Sequence, residues 1–404
     1  MRGFRSLPVS VLLVLPFLGC QAQDNADPRL RGSAGNGAAG SAGQGGSGGA
    51  SSGGTTLPLP SNLAAPQACT SNAPGPRKLW RLTATQFANS IRSIFEDTSS
   101  PAPVATVFSD PSVLGFSIDA NALLVQGLNA SQLQDNAEAV AAWAASSNKL
   151  AGFAPCAATS SAPVATCAGQ FVQAFGKQAF RTPLDASDPR VASYSKLFMS
   201  GSSNSDGAQV VISAMLQSPY FLYRQELGKA SGQTFTLSPY EVATELAYTL
   251  TGTTPDAALL AAADSANGGS LTIPAMIDQQ VARLTASGTA SNATAVMGFM
   301  DGWLGLSRLY TTAHDAEAFK KSANIQPEMW AKLQQDMWTE AQRLIMEAFN
   351  NNGSFGSVLT ADHSFLNPEL ATFYGISGNG LGGDFTSVKY AGVTARDPGL
   401  LATG

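Results

Sequence analysis

The sequence predicts a mainly α protein: a helical body of orthogonal or bundle-like helices with few short strands, preceded by a disordered Gly/Ser tether. Three observations predict this class. Apolar residues recur at helical spacing over most of the chain beyond residue 79. Several of those stretches open on a capping signature. Only one segment, Phe385 to Tyr390, reads as a short strand.

The elements follow in order. Residues 1–20 read as a targeting segment, with Arg2 and Arg5 ahead of the apolar run Leu7 to Leu18. The run is too short to span a bilayer comfortably. It ends "FLGC", which resembles a bacterial lipoprotein cleavage site with Cys20 as the acylated residue, although Phe17 stands where the pattern prefers Leu. An ordinary signal peptide cut nearby is the alternative, and both readings export the protein. Acyl chains on Cys20 would anchor it by burying CH₂ groups at roughly 0.8 kcal/mol each. The expected location is the bacterial outer membrane, on its periplasmic or surface face. Residues 21–60 are a Gly/Ser/Ala-rich linker. Its most biased part, Gly32 to Gly54, has nothing to bury and a reach of about 25–30 Å as a flexible coil.

About 345 residues remain, enough for one large or two ordinary domains. "RLTATQFANSIRSIF" places Thr83 as an N-cap with Gln86 three residues later, then Phe87, Ile91, Ile94 and Phe95 on one face. A second helix covers Ser131 to Ala145. In "CAGQFVQAFGKQAF", Phe171, Phe175 and Ala179 form one stripe. "LSPYEVATELAYTL" has Ser238 as cap, Pro239 at the first helical position and Glu241 completing the box, with Val242, Leu246 and Leu250 along one face. "TTPDAALLAAA" restarts a helix with Pro255 near its first position. The longest helix begins at Pro327, carries Trp330, Leu333, Met337, Ala341, Leu344 and Ala348 at helical spacing, and stops at Asn350 to Gly353.

The net charge of −5 and the scattered basic residues argue against a nucleic-acid partner. Cys156 and Cys167 enclose a short Ala/Ser/Pro-rich stretch and are expected to pair in an oxidising compartment, worth on the order of 3 kcal/mol. Cys69 is left free or paired elsewhere. No CxxC, CxxCH or Cys/His cluster is present, so neither a structural zinc nor a covalently held haem is expected, and no metal or other cofactor is assigned. GxSxG, Walker and HExxH patterns are also missing. The GxGxxG match in "GNGLGG", Gly378 to Gly383, has no preceding strand and reads as a turn.

Six side chains stand out. In "SPYFLYRQELG", Arg224 and Glu226 bring charge into an apolar run. Arg224 could clamp a carboxylate or sugar hydroxyls at a helix-to-loop junction. The structural reading has Arg224 fixing helix packing through Glu241 or Glu245, and the two-residue spacing points Arg224 and Glu226 to different partners if the segment is helical. Asp256 follows Pro255 as a helix-start carboxylate or, alternatively, an acid or base. "TADHSFLNPELATFYG" gathers Asp362, His363, Asn367, Glu369 and Tyr374, which could line a sugar site or bind a cation. Ser364 or Asn367 as an N-cap ahead of Pro368 and Glu369 explains most of that pattern. Glu226, Asp256 and Asp362 are therefore the catalytic candidates, and Arg224, Asn367 and Tyr374 the binding candidates. His314 and Asp315 are neighbours in a loop with no indicated role.

"CAGQFVQAFGKQAFRTPL", "MLQSPYFLYRQELG", "LSPYEVATELAYTLTGTTPDAALLAAA" and "FLNPELATFYGI" resemble a family of large exported bacterial proteins centred on the domain of unknown function 1592. "RLTATQFANSIRSIF" resembles its N-terminal 1587 module, the segment after Cys156 its 1595 module, and "PGLLATG" the start of its 1588 module. On this basis residues 61–155, 156–232, 233–392 and 393–404 are the expected modules, the last cut short as in a fragment or frameshifted gene. The sequence departs from the family at Glu245, where Arg is common, at His363, where an aromatic is common, and at Phe373, where His is frequent. The resemblance implies no settled activity. It leaves three readings: an accessory protein that binds a polysaccharide or an exported partner protein, a carboxylate-dependent polysaccharide hydrolase, or a redox partner of c-type cytochromes.

Overall fold

The computed structural model describes residues 77–95, 104, 110–264, 269–286, 290–311, 327–351, 353–376, 381–389 and 399–400. Cys20, the targeting segment, the linker, Cys69, His314, Asp315 and Gly378 lie outside them.

A strand β1 (Lys78–Arg81) leads into α1 (Ala84–Phe95). The turn between them is the expected box: Gln86 N–H donates to Thr83 Oγ1, and Thr83 N–H to Gln86 Oε1. Helices α2 (Gly127–Ser146), α3 (Ala165–Phe180), α4 (Pro189–Phe198) and α5 (Asn204–Leu216) then pack around one large core, with α2 laid along α5. Phe87, Ile91, Phe171, Phe175 and Ala179 are completely buried in it, so both predicted apolar faces are the faces used. Cys156 and Cys167 are disulfide-bonded at the edge of this core.

A single turn, α6 (Pro219–Leu222), runs straight into β2 (Tyr223–Glu226), which pairs antiparallel with β1. The expected helix-to-loop junction at Arg224 is therefore a strand. A small hairpin, β3 (Lys229–Ser231) with β4 (Thr234–Thr236), leads to α7 (Pro239–Thr251). Ser238 and Glu241 form the predicted capping box. The most buried stripe of α7 is Ala243, Ala247, Tyr248 and Thr251. Val242, Leu246 and Leu250 flank it half-buried, so the helix is turned by about one residue from the predicted face.

Asp256 caps α8 (Ala257–Ala263), which places Pro255 one residue before the cap rather than inside the helix. Helices α9 (Pro274–Leu284), α10 (Ala290–Leu304) and α11 (Arg308–Thr311) follow. The long helix α12 (Pro327–Asn350) buries Leu333, Met337, Ala341 and Leu344 as its spacing predicts. After α13 (Phe355–Leu359) comes β5 (His363–Leu366), then α14 (Pro368–Phe373) and β6 (Thr386–Lys389), which pairs antiparallel with β5. The strand predicted near Phe385 is β6. Among the described residues the fold is mainly α, and its sheets are three two-stranded pairs. No described helix is long and apolar enough to cross a membrane.

Candidate functional site

The β1–β2 pair sets Lys78 opposite Glu226 and Trp80 opposite Arg224. Directly opposed residues of an antiparallel pair share a face, as do residues two apart on one strand. Lys78, Trp80, Arg224 and Glu226 therefore stand on one face, against α7. The guanidinium of Arg224 lies 5.6 Å from the Trp80 ring and 5.4 Å from the Tyr248 ring. Its Nη1 donates to Glu245 Oε2 at 3.1 Å, which selects Glu245 from the two partners the sequence offered. Glu241 is instead committed to its cap and to the N–H groups of Leu227 and Gly228.

Glu226 reaches the same carboxylate. Burial pushes its pKa up to about 8, the hydrogen bond to Glu245 and the Glu245 charge add to this, and Trp80 and Arg224 oppose it. Burial also works against ionised Glu245, but the Glu226 hydrogen bond, the Arg224 charge and the Thr249 hydroxyl hold it below the usual range. The two carboxyls thus share one proton, held toward Glu226. The spacing argument had sent Arg224 and Glu226 to different partners. That holds for a helix, but on a strand the same spacing aims both at Glu245. Arg224 is 8% exposed and Glu245 41%, so solvent meets the cluster from the α7 side.

Arg181 braces the cluster from behind. Its backbone is left-handed, with φ of 58° at the end of α3, and its Nη2 donates to the carbonyl oxygens of Tyr220, Phe221 and Tyr223 at 2.8–3.1 Å. Its Nη1 donates to Tyr248 Oη, which also bonds Ser90 Oγ at 2.7 Å. These contacts fix the turn that delivers Arg224.

The other predicted residues sit in separate networks. Asp256 accepts from Leu259 N–H and forms a two-point ion pair with Arg283; that guanidinium and the helix start hold its carboxyl below the usual range against the effect of burial. Asp362 is exposed and paired with His363 and Lys389. Asn367 caps α14 through Leu370 N–H and donates to Asp336 Oδ2 at 2.9 Å. Tyr374 Oη donates to Glu340 at 2.6 Å, and Ser364 Oγ donates to the other oxygen of that carboxylate. No hydrogen bond or ion pair joins any two of Glu226, Asp256 and Asp362. Trp80, Arg181, Glu245, Tyr248, Asp336 and Glu340 were not singled out as site residues. Their sequence signal was weak, because each depends on a partner distant along the chain.

A second surface is aromatic. Phe116, Phe299, Trp303 and Phe355 follow one another at ring spacings of 5.8, 5.9 and 4.8 Å. Trp303 is 51% exposed and Phe299 38%. Leu114, at the tip of a two-residue turn, is 92% exposed. Gly115 and Gly302 allow that turn to press on α10: a Cβ on Gly115 would fall on the Gly302 carbonyl. Two shallow depressions of about 420 and 450 Å³, along α4 and its neighbours α2, α3 and α5, include neither this strip nor Glu226. Among the described residues no group of three His, Cys, Asp or Glu side chains is placed to hold a metal ion.

The fold is mainly α, with β1, β2 and α7 meeting at a polar junction built around the half-buried carboxyl pair. Three family models match, each described as a protein of unknown function: DUF1587 (PSD3) over residues 80–146, DUF1595 (PSD5) over residues 167–226, and DUF1592 (PSD4) over residues 237–376. The chain therefore carries the DUF1587, DUF1595 and DUF1592 modules in that order, as the resemblance of its motifs implied. Trp80 lies in the first module, Arg224 and Glu226 in the second, and Glu245 in the third. No curated protein and no solved structure matches the chain.

Proposed function

We propose that the protein is an exported accessory protein, anchored by acyl chains on Cys20 and held off the outer membrane by its Gly/Ser linker, that binds a polysaccharide. The observation that carries this reading is the aromatic strip Phe116–Phe299–Trp303–Phe355, whose middle rings Phe299 and Trp303 are exposed. Aromatic rings at a solvent-facing surface stack on the apolar faces of sugar rings, and exposed apolar patches mark interaction sites. Helix α10 has no basic residue between Ala290 and Leu304, and its one acid, Asp301, accepts the backbone N–H of Ser307. The surroundings therefore favour a neutral glycan over a charged one. Retention of the full-length protein on insoluble polysaccharides tests this. Trp303→Ala should weaken retention roughly tenfold, in line with loss of about 1.4 kcal/mol of stacking and burial. Equal retention of both proteins refutes the strip as the binding face.

The Glu226–Glu245 pair favours a second reading, a carboxylate-dependent hydrolase, because it would place a proton donor near neutral pH. The two carboxyls are in hydrogen-bond contact, however, whereas glycoside cleavage uses carboxyls about 5–9.5 Å apart. Release of reducing ends in the same retention assay, lost in Glu226→Gln, would establish that reading over the first.

A further inference from the structure

We propose that Glu226 and Glu245 form a proton-binding site that couples the docking of α7 on the β1–β2 pair to the ambient pH. The geometry has three parts. Strand spacing puts Arg224 and Glu226 on the face that α7 covers. Arg224 Nη1 already donates to Glu245, and its Nε is buried with no acceptor, so its guanidinium is oriented by a single carboxylate. Tyr248 and Trp80 wall the guanidinium on its two ring contacts. A second negative charge at Glu226 would face Glu245 directly, with one guanidinium between three chain segments that the family matches assign to three modules.

The charged and titratable groups around the pair are few. From β1 come Lys78, whose Nζ sits 4.9 Å from the centre of the Trp80 ring, and Arg81, which pairs with Asp110. From α7 come Glu241, occupied by backbone N–H groups, and Tyr248, held by Arg181 and Ser90. Thr249 satisfies the second oxygen of Glu245. Among the described residues, Arg224 is the cation that contacts the two carboxyls. The cluster is therefore balanced when it holds one proton, and one cation short when it holds none.

The direction follows from linkage. Glu226 has a raised folded pKa, so its contribution is fully present below the unfolded carboxyl range and is lost as pH rises through about 8. Glu245 runs the opposite way at lower pH, since its pKa is depressed. Between about pH 5 and 8 the folded state holds one proton that the unfolded chain releases. The unfolding equilibrium constant then rises by at most tenfold per pH unit, and less where solvent reaches the pair.

The test compares the full-length protein with Glu226→Gln. The amide keeps a donor toward Glu245 and cannot ionise. Melting temperature and amide exchange in Ala243–Thr251 are followed from pH 5 to pH 10, and carboxyl carbon resonances report the titration of Glu226 directly. In the wild type, melting temperature and amide protection in α7 should fall as pH rises from about 5 to about 8 and level off above it, with Glu226 titrating near 8. Glu226→Gln should match the wild type near pH 5 and lack that decline. An identical decline in the variant, or a Glu226 carboxyl that titrates in the ordinary range, overturns the proposal. The carboxyl titration decides the matter even if the variant folds poorly. The result is independent of whether the aromatic strip binds a glycan.

Discussion

Glu340 illustrates how much a single buried side chain can organise. It is completely buried on α12, and each of its oxygens accepts a hydroxyl at 2.6 Å, from Ser364 and from Tyr374. Each of these hydroxyl donors contributes about 1–3 kcal/mol, because losing it leaves a buried oxygen short of a partner. Tyr374→Phe removes one of them with almost no change of shape. Its expected cost is about 1–3 kcal/mol in denaturant unfolding, with the slope m unchanged. A loss below about 0.5 kcal/mol would show that the hydroxyl is replaceable by water. His363 of β5, whose partner Glu347 lies two turns beyond Glu340 on α12, is bound differently. Its Nε2 meets Glu347 at 2.7 Å and its Nδ1 meets Asp362 at 3.2 Å. Burial works against the imidazolium, but the two carboxylates outweigh it and raise the pKa. The raised pKa gives a contribution present at low pH and lost as pH rises through the folded value. Both features escaped the sequence reading of "TADHSFLNPELATFYG". The segment shows which polar residues are available, but not that α12 supplies the carboxylates.

At the scale of elements, the legible features were those set by neighbours in sequence. The Thr83/Gln86 and Ser238/Glu241 boxes, the Asp256 and Asn367 caps and the apolar stripes of α1, α3 and α12 all depend on residues within a turn or two. Strand β2 depends on β1, which lies far earlier in the chain, so "YRQE" gave no strand signal of its own. The close approach of α4 and α5 was equally hidden, although glycines permit it. A Cβ on Gly207 would fall on the carbonyl oxygen of Phe198, a backbone atom that cannot move aside. Gly169 in α3 has nothing within 4 Å of the same position. Replacing glycine by alanine inside a helix otherwise gains roughly 0.5–1 kcal/mol. Gly169→Ala should therefore stabilise by about that amount, while Gly207→Ala should cost about 1–3 kcal/mol through forced separation of the helices. Thermal melts of the two variants should move in opposite directions. A shift in the same direction would mean that the close approach at Gly207 does not depend on its glycine.

At the scale of the whole molecule, the described body is held by four apolar clusters rather than one. The largest is built from α1 to α6 with Tyr248 of α7; the other three lie in α7 to α9, in α10 to α13 with neighbouring residues, and around α12, β5 and α14. The Cys156–Cys167 disulfide belongs to the first, where Cys167 is buried beside Phe171 and Ala168. Two cysteines eleven residues apart close a short loop, for which the chain-entropy account gives about 3 kcal/mol. Replacing both by serine should therefore lower the stability of the first cluster by about 2–4 kcal/mol. The effect should be local, because clusters with separate cores open with separate free energies. Amide exchange locates it: protection should fall in α2, α3 and α5 and stay at wild-type levels in α12 and β5. A uniform fall across both regions would show that the four clusters unfold as one cooperative unit. In that case the junction at Trp80, Arg224, Glu226 and Glu245 would be the element that welds them, since it is where β1, β2 and α7 share one set of polar contacts. A local fall would leave the junction as a separable contact, free to respond to protons without unfolding the cores on either side.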